Sequence, residues 1–322
     1  MISPKNILDV IGNTPLVKLQ HFDTGVCELF LKLENQNPAG SIKDRIALEI
    51  IQEAEKNHQL KPGGTLVEAT AGNTGLALAL VAAWKHYPLV VVMPDKMSSE
   101  KMAHLRALGA EVVVTRSDVT KEHPEYYQNI AERLAKSIPN AFYVNPFANP
   151  ANPSAHEKTT GPEIWEQMQG KMDALVVGVG SGGTLTGTGR YLRKQNPALE
   201  IILADPEGSV LAHFFKTKEL KTAGSWLVEG IGEDFVPENC DLSLVSEAIV
   251  VSDKEAFDCV RALLKREGIL AGSSSGTLLH AALTYCRAQK TPKRVVTFVC
   301  DTGNKYLSKA FNPKWLEEHD LL

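Results

Sequence analysis

Lys43 is the side chain whose setting could do chemistry. It stands in Asn37-Pro38-Ala39-Gly40-Ser41-Ile42-Lys43-Asp44-Arg45, where Pro38 and Gly40 make a turn and Ser41 is a good helix N-cap. Ile46, Ala47, Ile50, Ile51 and Ala54 then recur at helical spacing, so a helix is predicted with Lys43 in its first turn. Exposed N–H groups and the helix macrodipole disfavour a cation there, and they push an amine towards its neutral, nucleophilic form. The plainer reading has Lys43 pointing into water beside Asp44.

Three further stretches could hold an anion: residues 70–75, 180–184 and 272–277. Each is filled with glycines and small side chains and leads into a predicted helix. Glycines let backbone N–H groups approach a ligand, and the next helix N-terminus adds a favourable field. Gly180-Ser181-Gly182-Gly183-Thr184 is the best phosphate cradle. A rival reading uses Gly178, Gly180 and Gly183 as G-x-G-x-x-G, with Asp205 about 20 residues on, the fingerprint of a nicotinamide-dependent oxidoreductase. It leaves Lys43, Asn73 and the 272–276 loop without a task.

These loops need strands to carry them. The pattern predicts strands at 28–33, 65–68, 89–93, 111–115, 141–144, 174–179, 200–204, 248–251 and 294–300. Helices are predicted at 76–85, 98–108, 126–137, 162–169, 185–195, 253–267 and 276–288. Residues 145–153 read as a loop of turn formers and 207–236 as irregular. Such alternation predicts an α/β protein of two open, mostly parallel sheet lobes with helices on both faces and a ligand crevice between them.

Bulk properties narrow the function class. The 322 residues carry a net charge of −4, which offers no electrostatic case for nucleic acid or an anionic membrane. No apolar run approaches the roughly 20 residues of a membrane span. The N-terminus lacks a signal-peptide core, so a cytoplasmic location is expected. Five scattered cysteines and nine dispersed histidines fit reduced thiols and no metal site.

Taken in order, Ser41-Ile42-Lys43-Asp44-Arg45, Thr70-Ala71-Gly72-Asn73-Thr74-Gly75, Gly180–Thr184 and residues 272–276 resemble the pyridoxal-phosphate β-replacement family (fold type II), which includes cysteine synthase and cystathionine β-synthase. The similarity runs from Ile11-Gly12-Asn13-Thr14-Pro15 to Tyr306-Leu307-Ser308. The resemblance implies pyridoxal 5'-phosphate as cofactor, bound covalently by Lys43, which also serves as the α-proton base. It implies that Gly180, Ser181, Gly182, Gly183 and Thr184 hold the phosphate and that Asn73 bonds the phenolic oxygen. Ser274 would face the pyridine nitrogen, although Ser273 and Ser275 flank it and the register could slip by one. Thr70, Ala71, Gly72 and Thr74 would receive the substrate carboxylate. It further implies a smaller mobile lobe at 41–145, a larger lobe at 1–40 plus 146–322, and a homodimer.

Within that family, Lys96-Met97-Ser98-Ser99-Glu100-Lys101, Asp205-Pro206-Glu207-Gly208-Ser209 and Glu229-Gly230-Ile231-Gly232 resemble cystathionine β-synthases. Glu229, with Gly230 beside it, could pair with the ammonium of homocysteine; the plainer reading is a solvated loop glutamate. His156-Glu157-Lys158-Thr159-Thr160-Gly161-Pro162 is instead similar to cysteine synthases, the alternative in which sulfide and O-acetylserine give cysteine. No haem or adenosyl control is expected. Two departures touch the substrate: Ala71 stands where the family has serine, and Pro146 where it has glutamine. Proline has no N–H to donate, and Asn145 is a conceivable substitute.

Overall fold

Runs rich in Val, Leu and Ile become strands: β1 (Leu16–Lys18), β2 (Glu28–Leu33), β3 (Thr65–Ala69), β4 (Leu89–Pro94), β5 (Glu111–Thr115), β6 (Ala141–Tyr143), β7 (Ala174–Val177), β8 (Glu200–Pro206), β9 (Glu247–Val251) and β10 (Arg294–Val299). The helices are α1 (Lys43–Lys56), α2 (Asn73–Lys85), α3 (Ser99–Ala107), α4 (Tyr127–Ser137), α5 (Ala151–Ala155), α6 (Gly161–Gln167), α7 (Gly183–Gln195), α8 (Leu211–Thr217), α9 (Asp253–Glu267), α10 (Ser273–Ala288) and α11 (Pro313–Glu318). This computed structural model describes residues 5–70, 72–95, 99–119 and 123–322. No helix among them is long and apolar enough to cross a membrane.

Two compact units result. One takes the described residues of Met1–Ile11 with Lys43–Asn152; the other is Gly12–Ile42 with Pro153–Leu322. The first holds a parallel sheet in the order β5-β4-β3-β6. Val67, Ala69, Val90 and Val92 of this sheet bury against Ala131 of α4. The second holds the order β1-β2-β10-β7-β8-β9, with only the β1–β2 pair antiparallel. Of its middle strands, β7 is buried throughout and β10 at every residue after Arg294, as expected where helices cover both faces of a parallel sheet.

The structure extends several helices backwards into the glycine loops. The pattern starts them at 76, 185 and 276, whereas α2, α7 and α10 start at Asn73, Gly183 and Ser273. Small residues carry no periodic signal, so this first turn is invisible to hydrophobic spacing. Residues 145–153, expected as loop, include the start of α5, which passes into a π-helical turn at His156–Thr160. The irregular 207–236 stretch contains α8. Ser41 is two residues ahead of α1 and forms a backbone bridge with Asp301, so it does not occupy the position next to the helix.

Candidate active site

The loop after β7 is a backbone cradle. Gly182 is the N-cap residue of α7 in the left-handed region, with φ 86°, and no side chain caps the helix. A Cβ on Gly182 would lie 2.7 Å from Cα, Cβ and N of Cys240, and one on Gly180 would lie 2.6 Å from the carbonyl oxygen of Gly230. Only glycine fits either position. The hydroxyl of Thr186 donates to the carbonyl of Asn239 at 2.6 Å and accepts the N–H of Asp241 at 2.8 Å, which pins that wall to α7. Thr184 Oγ1 is 3.2 Å from Nε2 of the buried His156, whose Nδ1 is 2.9 Å from Thr160 Oγ1.

The same design recurs at α2 and α10. Gly72 and Gly272 are their N-cap residues, neither provides a side-chain cap, and no acidic residue enters the first turn of α2, α7 or α10. The ordinary arrangement is visible at α9: Ser252 and Glu255 form a capping box and Asp253 adds negative charge. Leaving the other helix ends without caps or acids reserves their N–H groups and positive field for an anion. Residues 180–184 thus fit the phosphate ester of pyridoxal phosphate.

At α10 the register of three serines is decided by their partners. Ser273 Oγ accepts the N–H of Glu229 at 3.0 Å, and Ser275 Oγ accepts the N–H of Cys300 at 3.0 Å. Ser274, 4% exposed, forms no side-chain hydrogen bond among the described residues. Its hydroxyl is the one left for a ligand.

In the first unit, Thr70 Oγ1 accepts the N–H of Gly72 at 3.3 Å, while Thr70 N–H donates to Val92 O at 3.1 Å. A Cβ on Gly72 would meet nothing within 4 Å, so this loop faces open space. Asn73 and Thr74, both half-buried, are the first residues of α2. Ala71, expected in the same loop, lies outside the described residues, as do Lys96, Met97 and Ser98. Lys43 is the first residue of α1 and is half-buried.

Glu229 is engaged within the protein: Lys309 Nζ donates to its Oε1 at 2.8 Å. Gly230 beside it is exposed, with φ 91°. Asp205, the acid of the dinucleotide fingerprint, is 1% exposed, and its Oδ2 accepts the N–H of Ala212 in α8 at 2.8 Å. Burial pushes its carboxyl upwards. It is not presented to a ribose, and the oxidoreductase reading loses its acid.

Sequence reasoning missed Glu68, His156, Asp301 and Tyr306. Glu68 is 2% exposed within β3. Tyr306 donates to Asp301 Oδ2 at 2.6 Å in a buried pair, and a Cβ on Gly272 would fall 2.1 Å from Asp301 Oδ1. The available signal was an acid inside an otherwise apolar strand (Thr-Leu-Val-Glu-Ala) and another directly after one.

The chain is similar to known proteins over nearly its whole length. Residues 7–301 match the model of the family described as pyridoxal-phosphate dependent enzyme. A cystathionine beta-synthase of Apis mellifera is 42% identical over 320 residues, covering 98% of this chain and 63% of that protein. Cysteine synthase 1 of Neurospora crassa is 42% identical over 325 residues, covering 99% and 86%. The crystal structure of a hydrogen sulfide-producing enzyme from Fusobacterium nucleatum superposes with a TM-score of 0.87 at 36% identity, covering 95% of this chain and 100% of that one. The chain spans less than two thirds of the length of the cystathionine beta-synthases it matches. A family match this long, with relatives 42% identical over nearly the whole chain, makes the chain a member of the pyridoxal-phosphate dependent enzyme family.

Proposed function

We propose that the protein catalyses β-replacement, exchanging the β-substituent of L-serine or O-acetyl-L-serine for a thiol. Homocysteine is the favoured thiol and cystathionine the favoured product. The observation that carries this reading is Ser274: its neighbours' hydroxyls are taken by the Glu229 and Cys300 N–H groups, while its own is available. A neutral hydroxyl at the pyridine nitrogen would not keep that nitrogen protonated. The resulting milder electron sink suits rapid β-elimination over a long-lived carbanion.

When bound, pyridoxal phosphate supplies the sink for the electrons of the breaking Cα–H bond. Lys43 would hold the cofactor through its aldehyde, and its Nζ would serve as the base for the substrate's α-proton. Residues 180–184 would hold the phosphate, and Asn73 would bond the phenolic oxygen. Thr70, Gly72 and Thr74, with Ala71, receive the substrate carboxylate. The acceptor thiol adds at the substrate β-carbon after the β-substituent leaves. A cytoplasmic homodimer is the proposed setting.

Homocysteine is favoured by the stretches at 205–209 and 229–232 and by the cystathionine beta-synthase relatives. Sulfide as the thiol, giving cysteine, is the second reading. It is favoured by the Glu229–Lys309 ion pair, which already satisfies the carboxylate meant for homocysteine, and by the fuller coverage of the Neurospora crassa relative.

Two measurements test the proposal. Protein loaded with pyridoxal phosphate should be yellow, and borohydride reduction should leave a pyridoxyl group on the Lys43 peptide. Protein that takes up no cofactor, or carries it on another lysine, ends the reading. Assays of serine or O-acetylserine against sulfide or homocysteine then choose among the substrates.

A further inference from the structure

Glu68 is a carboxyl group inside a sheet. Leu66, Val67, Glu68 and Ala69 of β3 are all buried. Ionising a carboxyl in such surroundings is unfavourable, and burial pushes Glu68 up to about 8. Its Oε2 accepts the backbone N–H of Asn145 at 2.9 Å.

That hydrogen bond joins two chain segments leaving the same sheet edge. β3 and β6 are parallel neighbours with Val67 opposite Tyr143, and Val144 N–H donates to Val67 O at 3.1 Å. The backbone ladder stops there, and the Glu68 side chain extends the pairing by one residue. This is the carboxyl edge, where open α/β sheets bind ligands. From β3 it leads into residues 70–74, and from β6 into residues 144–149.

Asn145 is held in an uncommon conformation. Its φ is 42°, in the left-handed region. Its carbonyl accepts the N–H groups of Ala148 at 3.2 Å and Asn149 at 3.0 Å, and Asn152 Nδ2 donates to Pro146 O at 2.6 Å. The Asn145 side-chain amide forms no hydrogen bond among the described residues. Pro146 has no N–H, and the Asn145 N–H is spent on Glu68, so that amide is the donor this turn can still offer.

We propose that Glu68 is a positioning residue: by fixing Asn145 at the sheet edge from which the 70–74 segment departs, it sets a second wall of the subsite for an α-amino acid's carboxylate. The inference rests on the reading of residues 70–74 as the carboxylate loop. Glu68 itself does not touch substrate. Its carbonyl-type oxygen is the feature required, so a glutamine should replace it and an apolar residue of similar size should not.

Three variants of the full-length, cofactor-loaded protein test this: Glu68→Gln, Glu68→Leu and Asn145→Ala. L-serine or O-acetylserine is titrated while cofactor absorbance is followed, and amide hydrogen exchange is measured over residues 143–149. Glu68→Gln should match the wild type in both. Glu68→Leu should weaken amino-acid binding about tenfold and change kcat less than about threefold. It should also speed exchange at 143–149 without altering β4. Asn145→Ala should weaken binding similarly without altering exchange elsewhere, which keeps the idea testable should the leucine variant fold poorly. Wild-type affinity in both Glu68→Leu and Asn145→Ala overturns the inference alone. A loaded wild-type protein whose spectrum responds to neither amino acid overturns the functional reading as well.

Discussion

The backbone N–H of Ile42 donates to the carbonyl oxygen of Cys300 at 2.9 Å, so the residue just before Lys43 is fastened to the end of β10. The attachment is continued by Thr302 N–H to Gly40 O at 3.0 Å and Lys305 Nζ to Ala39 O at 3.0 Å. Cys300 N–H in turn donates to Ser275 Oγ at 3.0 Å. One strand end therefore positions both the approach to the lysine and the first turn of the serine helix.

Because that attachment uses backbone groups and neighbouring residues, Lys43→Ala should keep the fold and lose the chemistry. Turnover should drop by at least about 10³-fold, and borohydride should fix no pyridoxyl group at position 43. A variant retaining wild-type turnover would show that another amine acts.

Glycines in the two anion loops should respond differently to alanine. Gly182 combines φ 86° with a Cβ position 2.7 Å from Cys240 backbone atoms, so Gly182→Ala should cost about 1–3 kcal/mol and weaken cofactor binding. Gly72 has φ −120° and open space around its Cβ position, so Gly72→Ala should leave the melting temperature close to wild type. Chemical denaturation of both variants reads the contrast; equal losses would contradict it.

The buried Glu68 makes a signed prediction about pH. Below its unfolded value near 4.5 the carboxyl is protonated in both states. Above that the unfolded chain ionises, while the folded chain keeps the proton until about 8. Unfolding then releases a proton, so this residue's contribution falls as pH rises from 4.5 to 8 and levels off beyond. The difference is on the order of 5 kcal/mol. Glu68→Gln should remove that fall, visible by comparing urea midpoints of both proteins at pH 5 and pH 8. Parallel pH trends in the two would refute it.

The Glu229–Lys309 pair separates the two candidate thiols. Both side chains are partly exposed, 29% and 44%, so breaking the pair should change stability by no more than about 1 kcal/mol. If Glu229 receives the homocysteine ammonium, Lys309→Met should lower the KM for homocysteine and Glu229→Gln should raise it, each by about threefold to tenfold. The KM for sulfide should stay unchanged. Equal shifts for both thiols would remove Glu229 from recognition.

Strand positions were legible because apolar runs such as 89–93 and 174–177 record burial directly, and helices such as α9 announce themselves by capping box and terminal glycine. The glycine loops were legible for the same local reason: a left-handed residue or a crowded backbone demands glycine at that position. The first turns of α2, α7 and α10 were not, since glycine, serine and threonine give no periodicity. Nor was α5 with its π-helical turn, where Asn, Pro and Ser imitate a loop.

Local composition thus determined the order of elements and the glycine-rich turns ahead of α2, α7 and α10. Tertiary structure alone decided which serine hydroxyl remains available, because Glu229 and Cys300, which occupy the other two, are 44 and 25 residues away in the chain. It also decided that Asp205 is buried on a helix end, that Glu229 meets Lys309 and that Glu68 holds Asn145. Each of these outcomes is a hydrogen bond or ion pair between distant segments, and its strength depends on solvent exclusion that exists only once the sheets have assembled.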